Sequence, residues 1–136
     1  DQPRSRGLGD VYKRQIMHSQ KRMPLVNCGT ALPKALVEMS SKGLGMTGVV
    51  DKDGKLVGIF TDGDLRRALN QSINLYDALI DEVMTAHPQT TSADALAAET
   101  VVVMREGSIN GLFAINDARE PIGALNILDL VRAGIF

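Results

Sequence analysis

The chain contains itself twice. Gly58 and Gly123, Asp64 and Asp129, Leu65 and Leu130, and Met39 and Met104 are each separated by the same 65 positions (123 − 58 and its equivalents), so one gap-free offset aligns four landmarks. Under that offset Ala114-Ile115-Asn116 falls on Val49-Val50-Asp51, and Ile122 on Val57. A unit this short cannot bury both faces of a sheet, so two copies packed together are the expected solution. At 136 residues the chain has room for two such units around a shared core.

Within the first copy, Pro24-Leu25-Val26 reads as a short strand. Thr30 is the expected N-cap of a helix whose apolar stripe is Leu32, Ala35, Leu36 and Met39, and Lys42-Gly43 closes it. Met46 to Val50 and Lys55 to Phe60 are apolar runs joined by the turn Asp51-Lys52-Asp53-Gly54, which predicts a hairpin. A second helix follows with Leu65, Ala68 and Leu69 on its apolar side, and Leu75, Leu79 and Ile80 are read as covering the core. In the second copy Val101-Val102-Val103 favours a strand by β-branching, but the overlay assigns 96–104 to a helix, because it aligns with Ala31 to Met39. Each copy is thus strand, helix, strand, strand, helix: an α/β (α+β) chain of two β-α-β-β-α repeats packed as a pseudo-two-fold pair. The boundaries expected are 1–15 as a foreign or disordered leader, 16–21 as linker, 22–81 as the first repeat with its connector, and 82–136 as the second.

The junction Gly58-Ile59-Phe60-Thr61-Asp62-Gly63-Asp64-Leu65-Arg66-Arg67 carries the chemistry. A strand that ends at a hydroxyl and resumes as an acid-rich helix start brings backbone amides and side chains to one point, where an anion can be met. Thr61-x-x-Asp64 also satisfies a capping box, which needs no ligand at all. The second copy has Asn126 for Thr61 and Asp129 for Asp64, but Ile127 and Leu128 for Asp62 and Gly63. Two equivalent sites are therefore not expected. The first junction is read as the occupied one. Arg66 and Arg67 point about 100° apart on a helix, so only one faces a ligand, and phosphate pairing and a solvated face both remain open for it.

Other chemistries find little support. Fifteen basic against sixteen acidic residues, net −1, give no field for nucleic acid or an anionic membrane, and no apolar run approaches a membrane span. One cysteine, Cys28, permits no internal disulfide and no cysteine-pair metal site, and a cytoplasmic location is expected. Asp62-Gly63-Asp64 could begin a Mg²⁺ phosphoryl-transfer site, yet no partner cluster follows, and Asp51-Lys52-Asp53-Gly54 lacks the closing acid of a Ca²⁺ loop. His18 and His87 have no partner at metal spacing and are read as surface or loop residues. No catalytic residue, metal or cofactor is expected.

The element order with Gly-Ile-Phe-Thr-Asp-Gly-Asp-Leu closing the first unit resembles the cystathionine-β-synthase (CBS) domain, two of which form a Bateman module. With Gly45-Met46-Thr47, Val83-Met84-Thr85 and Asp129-Leu130-Val131-Arg132-Ala133-Gly134, it is similar to the C-terminal CBS pair of arabinose-5-phosphate isomerases of the KpsF/GutQ type. The resemblance implies the regulatory half of a Kdo/lipopolysaccharide enzyme, separate from an upstream sugar-isomerase domain. It implies a nucleotide or nucleotide-sugar ligand, CMP-Kdo or an adenine nucleotide, and a homodimer formed through the CBS pairs. It carries ligand binding onto Met46, Thr47, Gly58, Thr61, Asp62, Asp64 and Arg66, with Asn126 and Asp129 in the second copy, although core packing is the simpler account of Met46. The alternative it leaves is an oligomerisation module with no ligand.

Overall fold

The computed structural model describes residues 17–92, 97–132 and 134. A one-turn 3-10 segment (Gln20–Arg22) leads into β1 (Leu25–Asn27), α1 (Leu32–Lys42), β2 (Met46–Val50), β3 (Leu56–Thr61) and α2 (Asp62–Asn70). A connector holds α3 (Ile80–Val83) and β4 (Thr85–Ala86). The second copy is β5 (Thr90–Ser92), α4 (Ala97–Gly107), β6 (Gly111–Ile115), β7 (Pro121–Asn126) and α5 (Ile127–Arg132). β1 lies parallel to β2, β2 antiparallel to β3 and β3 antiparallel to β4; β5, β6 and β7 repeat the first two relations. Even the irregularities repeat: the register shifts at Val49/Val50 in one hairpin and at Ala114/Ile115 in the other.

Local chemistry accounts for the helix limits, with one correction. Gly43 ends α1 in the left-handed region (φ 71°), with its amide bonded to the Met39 carbonyl. Thr30, however, is not the N-cap. That position is Ala31, without a side-chain cap, while the Thr30 hydroxyl donates to the Asn27 carbonyl at 2.7 Å. The reason is tertiary: the Ile80 amide donates to the Thr30 carbonyl and the Leu32 amide to the Ala78 carbonyl, so residues 30–32 are held extended against the connector and the helix starts later. The same pairing turns Ile80 fully inward and leaves Leu79 41% exposed. Leu69, read as core-facing, is 56% exposed. Val101–Val103 are helical, with Val101 buried and Val102 half exposed, so packing overrides β-branching there; Leu96, expected to begin this helix, lies outside the described residues.

The two copies meet through pairs of unequal residues. A Cβ on Gly111 would stand 2.7 Å from Met46 Sδ, and one on Gly48 would stand 2.9 Å from Phe113 Cζ. These are counterparts, 46 with 111 and 48 with 113 (both 65 apart), so each residue touches its own copy and must lie near the axis relating the repeats. In each pair one side is bulky and the other is glycine. Met46 and Phe113 join Met23, Val50, Leu56, Ile59 and Ala124 in one cluster drawn from both copies. The hairpin turn of the second copy adds backbone ties, with the Leu56 amide donating to the Arg119 carbonyl at 3.0 Å.

The duplication also extends further upstream than the 65-residue offset indicates. The Met84 thioether sits over Gly58 on β3, and the Met17 thioether sits over Gly123 on β7. Thr85 pairs with Ile59, and His18 pairs with Ala124 in an isolated antiparallel bridge. Met17-His18 therefore matches Met84-Thr85 at a spacing of 67 (84 − 17), because the segment leading to β1 is two residues longer than the one leading to β5.

Gly48→Ala tests the axial packing. Its Cβ would meet Phe113, Leu25 and Leu56 at 2.9–3.0 Å, so a loss of about 1–3 kcal/mol is expected in urea denaturation. Gly111→Ala should cost less, since the opposing atom is the flexible end of Met46.

Candidate functional site

Thr61 closes β3 and caps α2 in a complete capping box. The Asp64 amide donates to Thr61 Oγ1 at 3.2 Å, and the Thr61 amide donates to Asp64 Oδ2 at 3.0 Å. Asp64 is only 5% exposed and is met by two further groups, the Arg67 guanidinium and the Thr85 hydroxyl, the latter at 2.9 Å. The second copy repeats the box: the Asp129 amide donates to Asn126 Oδ1 at 3.0 Å and the Asn126 amide to Asp129 Oδ2 at 2.9 Å. There the remaining carboxylate oxygen is held by His18 Nε2 at 2.9 Å. His18 is thus not the unpartnered surface residue expected from sequence. Its place on β7 puts it where Thr85 stands in the first copy.

Both junctions open onto one cleft of about 1070 Å³. The first copy contributes residues 43–45 and 61–64 with Ile59, Arg66 and Arg67. The connector contributes Thr85 and residues 87–89, and the second copy residues 108–111 and 126–128. The Asp62 amide donates to the Gly45 carbonyl and the Ile127 amide to the Asn110 carbonyl, so the same bond fixes each helix start against its own α–β loop. Asn126 Nδ2 reaches the Leu44 carbonyl at 3.5 Å, which links the second junction to the first copy's wall. The lining is unequal in polarity: Asp62, Asp64, Arg66 and Arg67 stand on one side, Ile127 and Leu128 on the other. Ser108 holds a left-handed backbone (φ 53°) where its counterpart Gly43 has φ 71°, and His87, also on the rim, has φ 53°. Both are non-glycine residues in a region that costs energy, at the edge of the cleft.

Of the residues singled out from sequence, Thr61, Asp62, Asp64, Arg66 and Asn126 line this cleft. Met46, Thr47, Gly58 and Asp129 do not. Met46 and Thr47 are buried within β2, Met46 against Gly111 and Thr47 with its hydroxyl on the Gly48 carbonyl. Gly58 is the seat of Met84, and Asp129 is occupied by its cap and His18. Arg67 lines the cleft together with Arg66, where only one of the two was expected to face it; the bonds of Arg67 and Thr85 to Asp64, and Gln89 and Ser108 on the rim, carry no signal in the motifs. Thr85 was within reach of sequence reading, because Met17-His18 and Met84-Thr85 match once the spacing is allowed to slip by two.

Among the described residues no group of three or more His, Cys, Asp or Glu could hold a metal ion, and no helix is long and apolar enough to cross a membrane. Cys28 lies apart from the cleft, exposed in the loop after β1. Partial desolvation and then the Asp81 and Asp51 charges push its thiol above the ordinary value, so it is a protonated and slow nucleophile near neutrality. Alkylation by iodoacetamide at pH 8 should run slower than for free cysteine and climb as pH rises further. Thr61→Ala removes the α2 cap and should cost about 1 kcal/mol in thermal or urea unfolding, with Thr61→Ser retaining most of it.

Comparison with known proteins adds three findings. A family model described as CBS domain matches residues 13–71 and 80–135. Arabinose 5-phosphate isomerase KdsD of Pseudomonas aeruginosa is 50% identical over 121 residues, which is 89% of this chain and 37% of that relative, so the chain spans little more than a third of its length. Two solved structures share the fold. The CBS domain pair of protein MJ0100, in complex with 5′-methylthioadenosine and S-adenosyl-L-methionine, has a TM-score of 0.79 at 24% identity over 90% of this chain and 94% of that one. CBS domain protein PAE2072 from Pyrobaculum aerophilum, complexed with AMP, has a TM-score of 0.79 at 17% identity over 88% and 90%.

Proposed function

The chain belongs to the CBS-domain family, and from that premise we propose that it is a regulatory module whose inter-repeat cleft binds a nucleotide or nucleotide-sugar and tunes an attached arabinose-5-phosphate isomerase. The observation that carries this reading is the 1070 Å³ cleft onto which both strand-to-helix junctions open, with carboxylates and guanidinium groups gathered at the first. A ribose offers two hydroxyl donors to a carboxylate, and a phosphate takes amide, hydroxyl and arginine donors, so the acceptors Asp62 and Asp64 with the donors Thr61 and Arg66 suit a phosphorylated ribonucleoside. Binding of adenine compounds by the fold neighbours MJ0100 and PAE2072 supports adenine nucleotides as candidates. The likeness to KdsD supports CMP-Kdo, an activated sugar with a ribose and a phosphate. Met46, Thr47, Gly58 and Asp129 act in this reading as the frame of the site. Regulation then follows from linkage: the ligand shifts the isomerase only by its differential affinity for the module's two arrangements.

A second reading, assembly without a ligand, rests on a different observation. Val37 on α1 and Val102 on α4 are counterparts, 68% and 49% exposed, so the two repeats present matching apolar spots that a homodimer would cover. Titration calorimetry with CMP-Kdo, CMP, AMP and ATP separates the two. The regulatory reading expects saturable binding of at least one, weakened about tenfold by Asp62→Ala or Arg66→Ala, both exposed, with an unchanged sedimentation coefficient. Absence of binding, together with a dimer lost on Val37→Glu, would leave the assembly reading standing alone.

A further inference from the structure

The first junction closes its own carboxylate. Asp64 accepts from the Thr61 amide, the Thr61 hydroxyl, the Thr85 hydroxyl and Arg67, and a carboxylate offers about four such positions. A ligand hydroxyl can reach it only by displacing a donor. Thr61 is fixed by the capping box and Thr85 by the pairing of β4 with β3. Arg67 is different: its side chain is 65% exposed, and it reaches Asp64 by folding back over the first turn of α2. The guanidinium passes close over Gly63, where a Cβ would lie in ordinary contact, 3.6 Å from Nη1 and Nη2.

The second copy serves as an internal control. Its counterparts of Gly63 and Arg67 are Leu128 and Arg132, so a bulky side chain stands at the position over which the first copy's guanidinium passes. There His18, not Arg132, donates to the Asp129 oxygen. The fold-back of the arginine is therefore a property of the first junction, and it sits in the wall of the cleft.

Resting on the nucleotide reading above, we propose that Arg67 is a specificity-determining residue of the cleft: it yields its place on Asp64 to a ribose hydroxyl when the ligand supplies a phosphate for the guanidinium to move to. Arg67 exchanges one anionic partner for another and Asp64 exchanges one set of donors for another, so neither charge is stranded. A nucleoside without phosphate must compete with Arg67 for Asp64 and offers it nothing in return. The cleft thereby selects phosphorylated ribonucleosides over free nucleosides.

The test measures dissociation constants of AMP with adenosine, and CMP with cytidine, for the wild type, Arg67→Ala, the near-isosteric Arg67→Gln, and Arg132→Ala. In the wild type the nucleotide should bind at least about tenfold tighter than its nucleoside, a gain expected of a charge-assisted contact. In both Arg67 variants the nucleoside should bind about two- to fivefold tighter than to wild type, the size of an exposed ion pair, while the nucleotide weakens. Arg132→Ala should behave as wild type. Nucleoside affinity that is unchanged or reduced in both Arg67 variants would overturn the proposal while leaving the nucleotide site intact. Binding of neither nucleotides nor nucleosides by any of the four proteins would instead remove the reading on which it rests.

Discussion

The structure depends on size complementarity across the axis that relates its two repeats. Near such an axis a residue meets its own counterpart, and two large side chains cannot share that space. Met46 faces Gly111 and Phe113 faces Gly48, so each copy supplies one knob and one hole. This complementarity brings residues of both sheets into one core cluster, and it fixes how far apart the two helix-start junctions stand. The cleft between them is a consequence of that spacing.

The two junctions share a mechanical plan and differ in chemistry. Each is a strand that runs into a capping box, with the helix start tied back to its own α–β loop and a carboxylate held by a residue from the segment that leads into the other copy. That plan makes the acids at 64 and 129 part of the frame before they are part of any site. What differs is the first helical turn: Asp62 and Gly63 in one copy, Ile127 and Leu128 in the other. Polar and apolar walls of one cleft therefore come from the same position in two copies, which suits a ligand with one charged and one less polar end.

Duplication also explains where backbone strain has collected. Gly54 and Gly43 take the left-handed region freely, while their counterparts Arg119 and Ser108 take the same region with side chains. The second copy holds the same conformation without the glycine. At Ser108 the strain lies on the rim of the cleft, and at Arg119 the carbonyl is committed to the Leu56 amide of the first copy. At Arg119 that contact beyond the local turn holds the conformation.

Elements with a strong local signal were legible in the residues alone. The 65-residue offset gave the repeats, Gly43 the end of α1, Thr61 and Asp64 the start of α2, and the overlay the helical state of Val101–Val103. Of the motif residues, Thr61, Asp62, Asp64, Arg66 and Asn126 all lie on the cleft. Where long-range contacts decide, the residues alone were silent or misleading. Thr30 lost its cap to the connector's backbone, Gly58 serves a methionine 26 positions on (84 − 58), and His18 is held by an acid 111 positions away. The sequence by itself determined the repeat, its secondary structure and the cap chemistry, because these depend on neighbours a few positions apart. Only the tertiary structure decided which arginine folds onto Asp64 and which segment closes each carboxylate, because those partners are chosen by which surfaces the axial packing brings together.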